Sequence, residues 1–531
     1  MVYVDQFLKA HASRSLSTCV RIFLFTVLLL IGPATGFAQQ NLPKKLPAAE
    51  KIVDNYLKAI GGKNKISAIR DAKYVWAIQL NGRPEGTAQT LRRTPSSERW
   101  ELTLSNGSIT KSSSPTSAWE IGLDHQLHTL TGPASAAAKL RAVLEASRFV
   151  NFKKLNVLAR VVSLGDLASE PAYIVEFSTK SGAKLQYYFS VKTSMITKIT
   201  DDAEKSRTWL EDYRVENGIL EPHRLRVNSD SGDLTYVLQS VQYNVSIAEA
   251  EFDPPKTLEG LDVAALLREV GKNQDDVEKR VAEYSFVQKE TDREISSKGE
   301  LKKETVKVYE VFPVANREPV LKLISENGVP LSAEKAAREE KRVQDELEKA
   351  ERDKDKDERD AARKRADQQK KNRAAGRDED DDPEISQFLR VCEFVSPRRE
   401  RYQDRDTIVF DFRPRPGFKP ANREESLIAK LVGAMWIDPV DKQVIRLEAR
   451  LAEGFKMGGG LLVSLKPGAA MIMEQTRVTE GVWLPQFAQF NLSVKVLLFG
   501  GGDYNKTIEW SDYKHFSGDV NDYKIEAPKK P

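Results

Sequence analysis

The residues best suited to metal ligation or acid–base chemistry are five histidines: His11, His125, His128, His223 and His515. None lies in a His-Glu-x-x-His motif, in which two imidazoles four residues apart on a helix hold zinc. His125 and His128 are three residues apart, but their neighbours predict strand or loop, which places the two side chains on opposite faces. The histidines therefore predict no metal site.

The sequence also lacks motifs for nucleophilic catalysis or phosphate binding. It contains no Gly-x-Ser-x-Gly turn and no Gly-x-x-x-x-Gly-Lys-Ser/Thr loop. The glycine runs 458–460 and 500–502 do not open a helix that would hold an anion, and the second run is predicted to be a hairpin turn or a flexible rim. We predict a protein without catalytic residues or a cofactor. A hydrolase with an unrecognised site stays open as an alternative.

A charged segment at residues 333–382 is the strongest compositional feature. It contains 34 charged residues out of 50, and Val343 and Leu347 are its only large apolar residues. Such a segment buries too little surface to offset its ordering entropy, so we expect a helical or disordered insert. A docking arm for an envelope protein partner is the sharper alternative. Asp378 to Asp382 would attract calcium, but the run lacks the glycine and spaced acids of a calcium loop.

Apolar surface is the remaining candidate for binding. Part of the stretch Val482 to Phe499 alternates apolar and polar residues, which predicts a strand with one apolar face. That face must be covered by helices, by another part of the chain or by an apolar ligand. Coverage by the protein's own helices is the first expectation, and the small helical share keeps a lipid-sized cavity open as the alternative. The candidate cavity-lining residues are Trp483, Phe490, Leu492, Val494, Val496 and Leu498.

A short internal repeat indicates the elements that position these residues. Arg214 to Pro222 reads R-V-E-N-G-I-L-E-P, and Arg477 to Pro485 reads R-V-T-E-G-V-W-L-P. The Arg, Val, Gly and Pro positions keep the same spacing in both copies. The pattern is typical of a strand, a tight turn and a second strand. It predicts two β units of one kind rather than a single catalytic domain.

Helices are predicted near the start of each unit. Ala48 to Ile60 has apolar residues at helical spacing and ends at Gly61-Gly62. A further helix is expected at Ser135 to Phe149, with Ser135 as its N-cap. Most of the remaining chain alternates with a period of two, which predicts antiparallel strands.

The predicted domains are residues 45–257 and residues 262–520, with the charged insert interrupting the second. Two helices are expected near the start of the second domain, at 263–270 and 275–284. Phe388 to Phe394, which follows the insert, is predicted to be a strand.

The first 38 residues have the layout of an export signal. Positive residues precede a short apolar core at 22–31, and Gly36-Phe37-Ala38 supplies small residues before a cut at Gln39. Ten residues of helix span about 15 Å, which is too short for a membrane core of roughly 30 Å. No later segment of the sequence is long and apolar enough to cross a membrane. We therefore predict a periplasmic protein, cleaved after Ala38.

The two cysteines and the balance of charge further restrict the class of protein and its possible ligands. Cys19 precedes the apolar core and leaves with the signal, so the chain is not predicted to be a lipoprotein. Cys392 is then alone, and the absence of disulfides favours a bacterial envelope protein over a secreted animal domain. The 82 basic and 78 acidic residues nearly cancel, which makes nucleic acid an unsuitable ligand.

The order of these elements resembles the LolA/LolB-like carriers of lipoproteins in the bacterial periplasm. The resemblance rests on Ala59-Ile60-Gly61-Gly62, the N-G-I-L-E-P pattern at 217–222, Phe252-Asp253-Pro254-Pro255, Trp436-Ile437-Asp438-Pro439, Val444-Ile445-Arg446-Leu447 and residues 481–485. It implies an α+β fold of two tandem antiparallel unclosed β-barrels, or half-barrels, each curled over helices. No residue role is carried over, because no arginine here can be matched to the functional arginine of that family.

The resemblance implies a non-catalytic binding or carrier protein for lipoproteins, lipids or similar acyl-chain ligands at the cell envelope. One acyl tail suffices for useful affinity, because each buried CH₂ contributes about 0.8 kcal/mol. This hypothesis expects a cavity lined by apolar side chains. The alternative is an envelope-stress sensor or protein-interaction module that uses the fold without a lipid ligand. It expects filled barrels and a functional surface between the halves or on the charged insert.

Overall fold

Two large antiparallel sheets, one from each half of the chain, make up the fold. The computed structural model describes residues 46–167, 170–229, 232–281, 283–296, 300–314, 318–374, 383–457, 463–496 and 500–515. The described residues from Pro47 onward group into one compact unit. The expected fold class, α+β with two unclosed half-barrels in tandem, is confirmed. The predicted export signal lies outside the described residues.

The first sheet has thirteen strands among the described residues. They are β1 Asp71–Leu80, β2 Arg83–Arg93, β3 Ser97–Leu104, β4 Gly107–Ser113, β5 Ala118–Ile121, β6 Leu127–Thr129, β7 Leu158–Leu167, β8 Glu170–Ser178, β9 Lys184–Ser190, β10 Ile196–Asp201, β11 Ser206–Glu216, β12 Ile219–Ser229 and β13 Gly232–Tyr243. Their spatial order is β6-β5-β4-β3-β2-β1-β13-β12-β11-β10-β9-β8-β7. The first strand, β1, therefore lies in the middle of the sheet, and the last strand, β13, returns to pair with it.

The second sheet also has thirteen strands in the described part of the chain. They are β14 Tyr284–Ile295, β15 Leu301–Phe312, β16 Val320–Glu326, β17 Val329–Pro330, β18 Cys392–Tyr402, β19 Arg405–Pro414, β20 Leu431–Asp438, β21 Gln443–Leu451, β22 Phe455–Met457, β23 Val463–Leu465, β24 Ala470–Thr479, β25 Val482–Val496 and β26 Gly500–His515. The main order is β17-β16-β15-β14-β26-β25-β24-β21-β20-β19-β18, while β22 and β23 form a side hairpin on β25.

The two sheets share a connection scheme that agrees with the sequence repeat. In each sheet the last strand returns to pair with the first, β13 with β1 and β26 with β14. The two copies of the sequence repeat form the hairpins β11–β12 and β24–β25. Asn217, Gly218 and Gly481 have φ values of 51°, 80° and 68°, and such left-handed conformations suit Asn and Gly in tight hairpin turns. The exact domain limits at 257 and 262 stay a prediction.

The described residues contain seven α-helices: α1 Ala49–Ala59, α2 Lys63–Ser67, α3 Gly132–Ser147, α4 Val263–Val281, α5 Ala333–Ala374, α6 Pro383–Val391 and α7 Arg423–Ile428. Helix α1 buries Ile52 and Leu57, and α3 buries Leu140 and Leu144, in one core cluster with Trp76 and other residues of the first sheet. Each such side chain contributes about 1.5–3 kcal/mol when fully buried. Apolar spacing therefore anchors both helices on one face of the first sheet.

Four elements differ from the sequence expectations. Helix α3 begins at Gly132 with a proline in its first turn, so Ser135 is an interior residue and not the N-cap. The two helices expected at 263–284 are one continuous helix, α4. Phe388 lies in α6 and packs against Phe394 and Phe412, so the strand begins later, at Cys392. Residues 500–502 pair with 494–496 as the start of β26 and are not a turn.

The described part of the charged insert is helical. Helix α5 has 42 residues, which corresponds to a length of about 63 Å. Its Val343 is 3% exposed and packs with Phe312 and Val320 of the second sheet, and Leu347 joins this cluster. The only two large apolar residues of the insert thus both pack on the second half. Residues 375–382, including the acidic run at its end, lie outside the described residues.

Candidate functional site between the two sheets

Trp483, the first of the six candidate cavity-lining residues, lies in the core of the second half. Only 1% of the residue is exposed, and it packs in one cluster with Val277 of α4 and with Trp436. Its indole Nε1 donates a 2.8 Å hydrogen bond to a carboxylate oxygen of Asp441. The side chain therefore has protein contacts on both its apolar and its polar side.

Phe490 and Leu492 also pack within the second half. Phe490 is buried, and Leu492 packs against a cluster of Leu451, Phe455 and Ala469 near the β22–β23 hairpin. The side chains of Val494 and Val496, and all of Leu498, lie outside the described part of the structure. That these six residues line a ligand cavity stays a prediction. The cleft described next is lined by other residues.

A cleft of about 1090 Å³ lies between the two halves. One wall is α3, which contributes Ala136 and Val143, and the opposite wall includes Met471 and Ile472 of β24 and Phe487 of β25. The volume is near the upper end of the range of about 300–1,000 Å³ typical of small-molecule sites. Since successive residues of a strand point to opposite faces, Phe487 lies on the face of β25 opposite to that of Phe490, three positions further along.

Strand β21 lines the cleft with three charged residues at alternate positions, Arg446, Glu448 and Arg450. Arg446 donates hydrogen bonds of 2.6 and 2.9 Å to Glu448 and also forms an ion pair with Glu474. Lys139 of α3 approaches from the other wall, with its Nζ 3.7 Å from a carboxylate oxygen of Glu448. Charged side chains from both halves therefore meet in the cleft.

Lys139 and Arg450 are less completely neutralised than Arg446. The Nε of Arg450 donates a 3.0 Å hydrogen bond to the carbonyl of Pro115, and among the described residues no carboxylate forms an ion pair with it. The Nζ of Lys139 donates to the next carbonyl, that of Thr116, at 3.4 Å. Burial lowers the pKa of both groups, opposed for Lys139 by Glu448.

Next to the cleft, the two halves contact each other through buried polar residues, here termed the interface cluster. They are Thr129 of β6, Arg398 and Glu400 of β18, Asp411 of β19, and Ser117, which precedes β5. The guanidinium of Arg398 donates to Glu400 at 2.6 Å and to Asp411 at 2.9 Å. Thr129 donates to Glu400 through both its amide and its hydroxyl, each at 2.6 Å, and Ser117 donates to Asp411 at 2.5 Å. Two carboxylates of the second half thus bind polar groups of the first.

The helix-bearing face of the first sheet is filled by its own side chains. Arg148, in a left-handed conformation at the end of α3, donates a 2.8 Å hydrogen bond to Glu221, which also accepts from Tyr74 at 3.1 Å and Tyr243 at 2.5 Å. Burial raises the pKa of Glu221, but Arg148 and the hydrogen bond from Tyr243 outweigh it and hold that pKa below its usual value. This network supports the core of the first half.

The residues that first suggested chemistry lie apart from one another. His125 is in a turn with φ 59°, and the exposed His128 lies on β6 near Asp124. No group of three or more potential metal ligands occurs among the described residues. Cys392 is buried, and burial raises the pKa of its thiol to about 12, which keeps it in the unreactive protonated form.

The cleft residues were missed by the sequence reasoning. Lys139 and Arg450 are separated by 311 positions, and neither lies in a recognisable motif. The available sequence signal for the cleft was the alternation Arg446, Glu448, Arg450. It indicates a strand whose charged residues lie together on one face and whose apolar residues lie on the other. Nothing in the sequence, however, indicates that α3 is the opposite wall.

Comparisons with known proteins give structural neighbours only. No family model matches the sequence, and no curated protein is similar to it. The chain is similar to the solved structure of a putative outer membrane lipoprotein-sorting protein domain from Vibrio parahaemolyticus, with 8% identity over 38% of this chain and 97% of that chain and a TM-score of 0.27.

Two further solved structures are also similar to this chain. The LolA superfamily protein NE2245 from Nitrosomonas europaea is 12% identical over 39% of this chain and 99% of that chain, with a TM-score of 0.28. The MucA/MucB complex from Pseudomonas aeruginosa is 8% identical over 86% of this chain and 94% of that chain, with a TM-score of 0.17. The LolA-type proteins that the sequence resembles are thus among its structural neighbours. No helix in the described part of the chain is long and apolar enough to cross a membrane.

Proposed function

We propose that this protein is a non-catalytic binding protein of the bacterial periplasm that holds an acyl chain of a lipid or lipoprotein in the cleft between its halves. The observation that carries the proposal is the cleft itself, which is lined by Val143 of α3 and by Ile472 and Phe487 of the second sheet. These side chains are half-buried. An acyl chain placed among them would remove the remaining apolar surface from water, which is the main source of affinity for such ligands.

The location follows from the predicted export signal, and the carrier role follows from the resemblance to LolA/LolB-like proteins. The proposed function, export with cleavage after Ala38 followed by binding of the ligand, requires no catalytic group in this protein. The residues around the cleft instead serve to position an apolar chain. The interface cluster joins the two halves next to the cleft and so helps to hold its walls in place.

The proposal is tested by binding of a fluorescent fatty acid to the mature protein, with native mass spectrometry of protein from an envelope extract as a second readout. Ala136→Trp on α3 fills the cleft and is expected to abolish binding, since Ala136 lines it. Ala134→Trp is the matched control, because Ala134 lies on the same helix, is exposed and lies outside the cleft lining. Equal binding by both variants, or no binding by the wild type, would contradict the proposal.

A protein-interaction module is the second candidate, and a specific observation favours it. The helix-bearing face of the first half is filled by its own side chains, including Tyr74, Arg148 and Glu221, as expected for a fold that no longer holds a ligand there. If the purified protein carries no lipid and ignores the fatty acid, this candidate takes precedence.

A further inference from the structure

The charges that line the cleft do not cancel. Six cations and four carboxylates line it, which leaves an excess of two positive charges: Lys139, Lys180, Lys184, Lys289, Arg446 and Arg450 against Asp202, Glu448, Glu474 and Glu509. Lys289 pairs with Glu509, and both Glu448 and Glu474 contact Arg446. Glu448 and the nearby Asp411 partly offset the charge of Lys139, so Arg450, which has no ion pair among the described residues, is the least neutralised of the cations beside α3.

These two cations come from different halves and meet at one loop. Arg450 donates to the carbonyl of Pro115 at 3.0 Å and Lys139 donates to the carbonyl of Thr116 at 3.4 Å. Because Pro115 and Thr116 are consecutive residues, the guanidinium and the ammonium are held close together. An ammonium has three donors and a guanidinium five, so both groups keep donors for a ligand after binding these carbonyls.

We infer that the cleft takes an anionic amphiphile, whose carboxylate or phosphate oxygens bind Lys139 and Arg450 while its acyl chain lies along Ile472 and Phe487. This inference rests on the proposed function and names the chemistry of its ligand. Charge-assisted hydrogen bonds from two cations to one anionic group are roughly twice as strong as neutral ones. The bound anion would also offset part of the positive excess of the cleft.

The electrostatic environment supports this assignment. Burial lowers the pKa of both Lys139 and Arg450, because a charged group loses hydration when neighbouring protein replaces water. An anionic headgroup would return that stabilisation. A neutral headgroup would not compensate Lys139 and Arg450 for the hydration that they lose on burial.

The test compares palmitate with glycerol monopalmitate, which has the same acyl chain and an uncharged head, as competitors of a fluorescent fatty acid on the mature full-length protein. We expect palmitate to bind about tenfold or more tightly than the neutral ester. Arg450→Gln and Lys139→Gln should each weaken palmitate binding about tenfold and change binding of the ester less than about twofold. Lys58→Gln, an exposed position on α1, is the control and should change neither.

The outcomes separate this inference from the proposed function. If palmitate and the neutral ester bind equally and Arg450→Gln weakens both alike, the acyl site stands and the headgroup assignment is overturned. If neither binds to the wild type, the proposed function itself fails. Inorganic phosphate that displaces the probe as well as palmitate does would overturn the assignment to an amphiphile. Arg450→Lys, which keeps the charge, should retain the preference for palmitate and guards against a loss caused by misfolding.

Discussion

Gly61 lies against Gly218, so the end of the first helix contacts the turn of the repeated hairpin. A Cβ atom built on Gly61 would lie 2.8 Å from the carbonyl oxygen of Gly218. Next to this contact, the amide of Leu220 donates a 2.8 Å hydrogen bond to the carbonyl of Ile60. The two glycine motifs that the sequence places far apart therefore form one joint between α1 and β12.

Gly61→Ala is expected to destabilise the protein by about 2–3 kcal/mol. The φ of Gly61 is +140°, which an alanine rarely adopts, and the new methyl group would clash with backbone. Gly62→Ala is the control, because its φ of +93° is also unfavourable but nothing lies within 4 Å of the new Cβ. It should cost about 1 kcal/mol. Urea unfolding measures both, and equal losses would show that the contact with Gly218 is unimportant.

Arg398→Met is expected to cost about 3–5 kcal/mol, because it leaves two buried carboxylates without their cation. The side chains of Arg398 and Asp411 are 0% exposed and that of Glu400 is 3% exposed. Arg401→Met, three positions along the same strand, is the matched control, since its side chain is 68% exposed and should change stability by less than about 0.5 kcal/mol. Unfolding by urea distinguishes the two variants, and a small effect of Arg398→Met would argue against a structural role of the interface cluster.

The predicted domain limits can be tested by expressing residues 46–257 and 262–531 separately. We expect each fragment to fold around its own sheet, since the first and last strands pair within each one. Each should be less stable than the same region of the whole chain, because separation exposes Thr129 in one fragment and Glu400 in the other. Circular dichroism with thermal unfolding measures this. If neither fragment folds, the division into two domains is wrong.

Asp253 is expected to make stability depend on pH in the opposite sense to most acids. Burial raises its pKa to about 6, against the opposing effect of Arg413, and Asp411 and Glu249 raise it further. Its contribution is therefore fully present below about pH 4 and is lost as the pH rises through 6. Relative to Asp253→Asn, the wild type should lose about 1–2 kcal/mol between pH 4.5 and 7. Urea midpoints of both proteins across this range provide the measurement, and parallel curves would contradict the expectation.

The parts of the fold that the sequence predicted are those determined by local backbone chemistry. Gly218 and Gly481 adopt positive φ, and the hairpins around them appear where the repeat predicts them. Helix α1 ends at Ala59, just before Gly61 and Gly62, which also have positive φ. Where the sequence interpretation was wrong, tertiary contacts decide the structure. Phe388 suits either a helix or a strand, and its packing against Phe394 and Phe412 accompanies the helix.

The site was less predictable than the fold, because its residues are brought together only by the packing of the two halves. The sequence indicated Trp483 as a candidate cavity-lining residue. An apolar pattern alone, however, does not distinguish a core residue from a ligand-binding residue. In the structure, Trp483 lies in a core cluster. The pairing of Lys139 with Glu448 across the cleft joins α3 to β21. Such a contact follows from the geometry of two sheets and has no local sequence signal.

Val343 supplies the apolar part of the attachment of helix α5 to the second sheet, beside polar contacts such as the hydrogen bond that Arg342 donates to the carbonyl of Leu321. Val343→Asp is expected to destabilise the docked part of the helix by about 2–3 kcal/mol, because it places an unpaired charge against Phe312 and Val320. Hydrogen exchange should then show lost protection across residues 333–350, with the strands of the first sheet unaffected. Gln344→Asp introduces the same charge at the adjacent exposed position and should leave protection nearly unchanged. If both variants behave alike, the charged surface of the helix rather than Val343 determines its stability, and its attachment through the small apolar cluster is refuted.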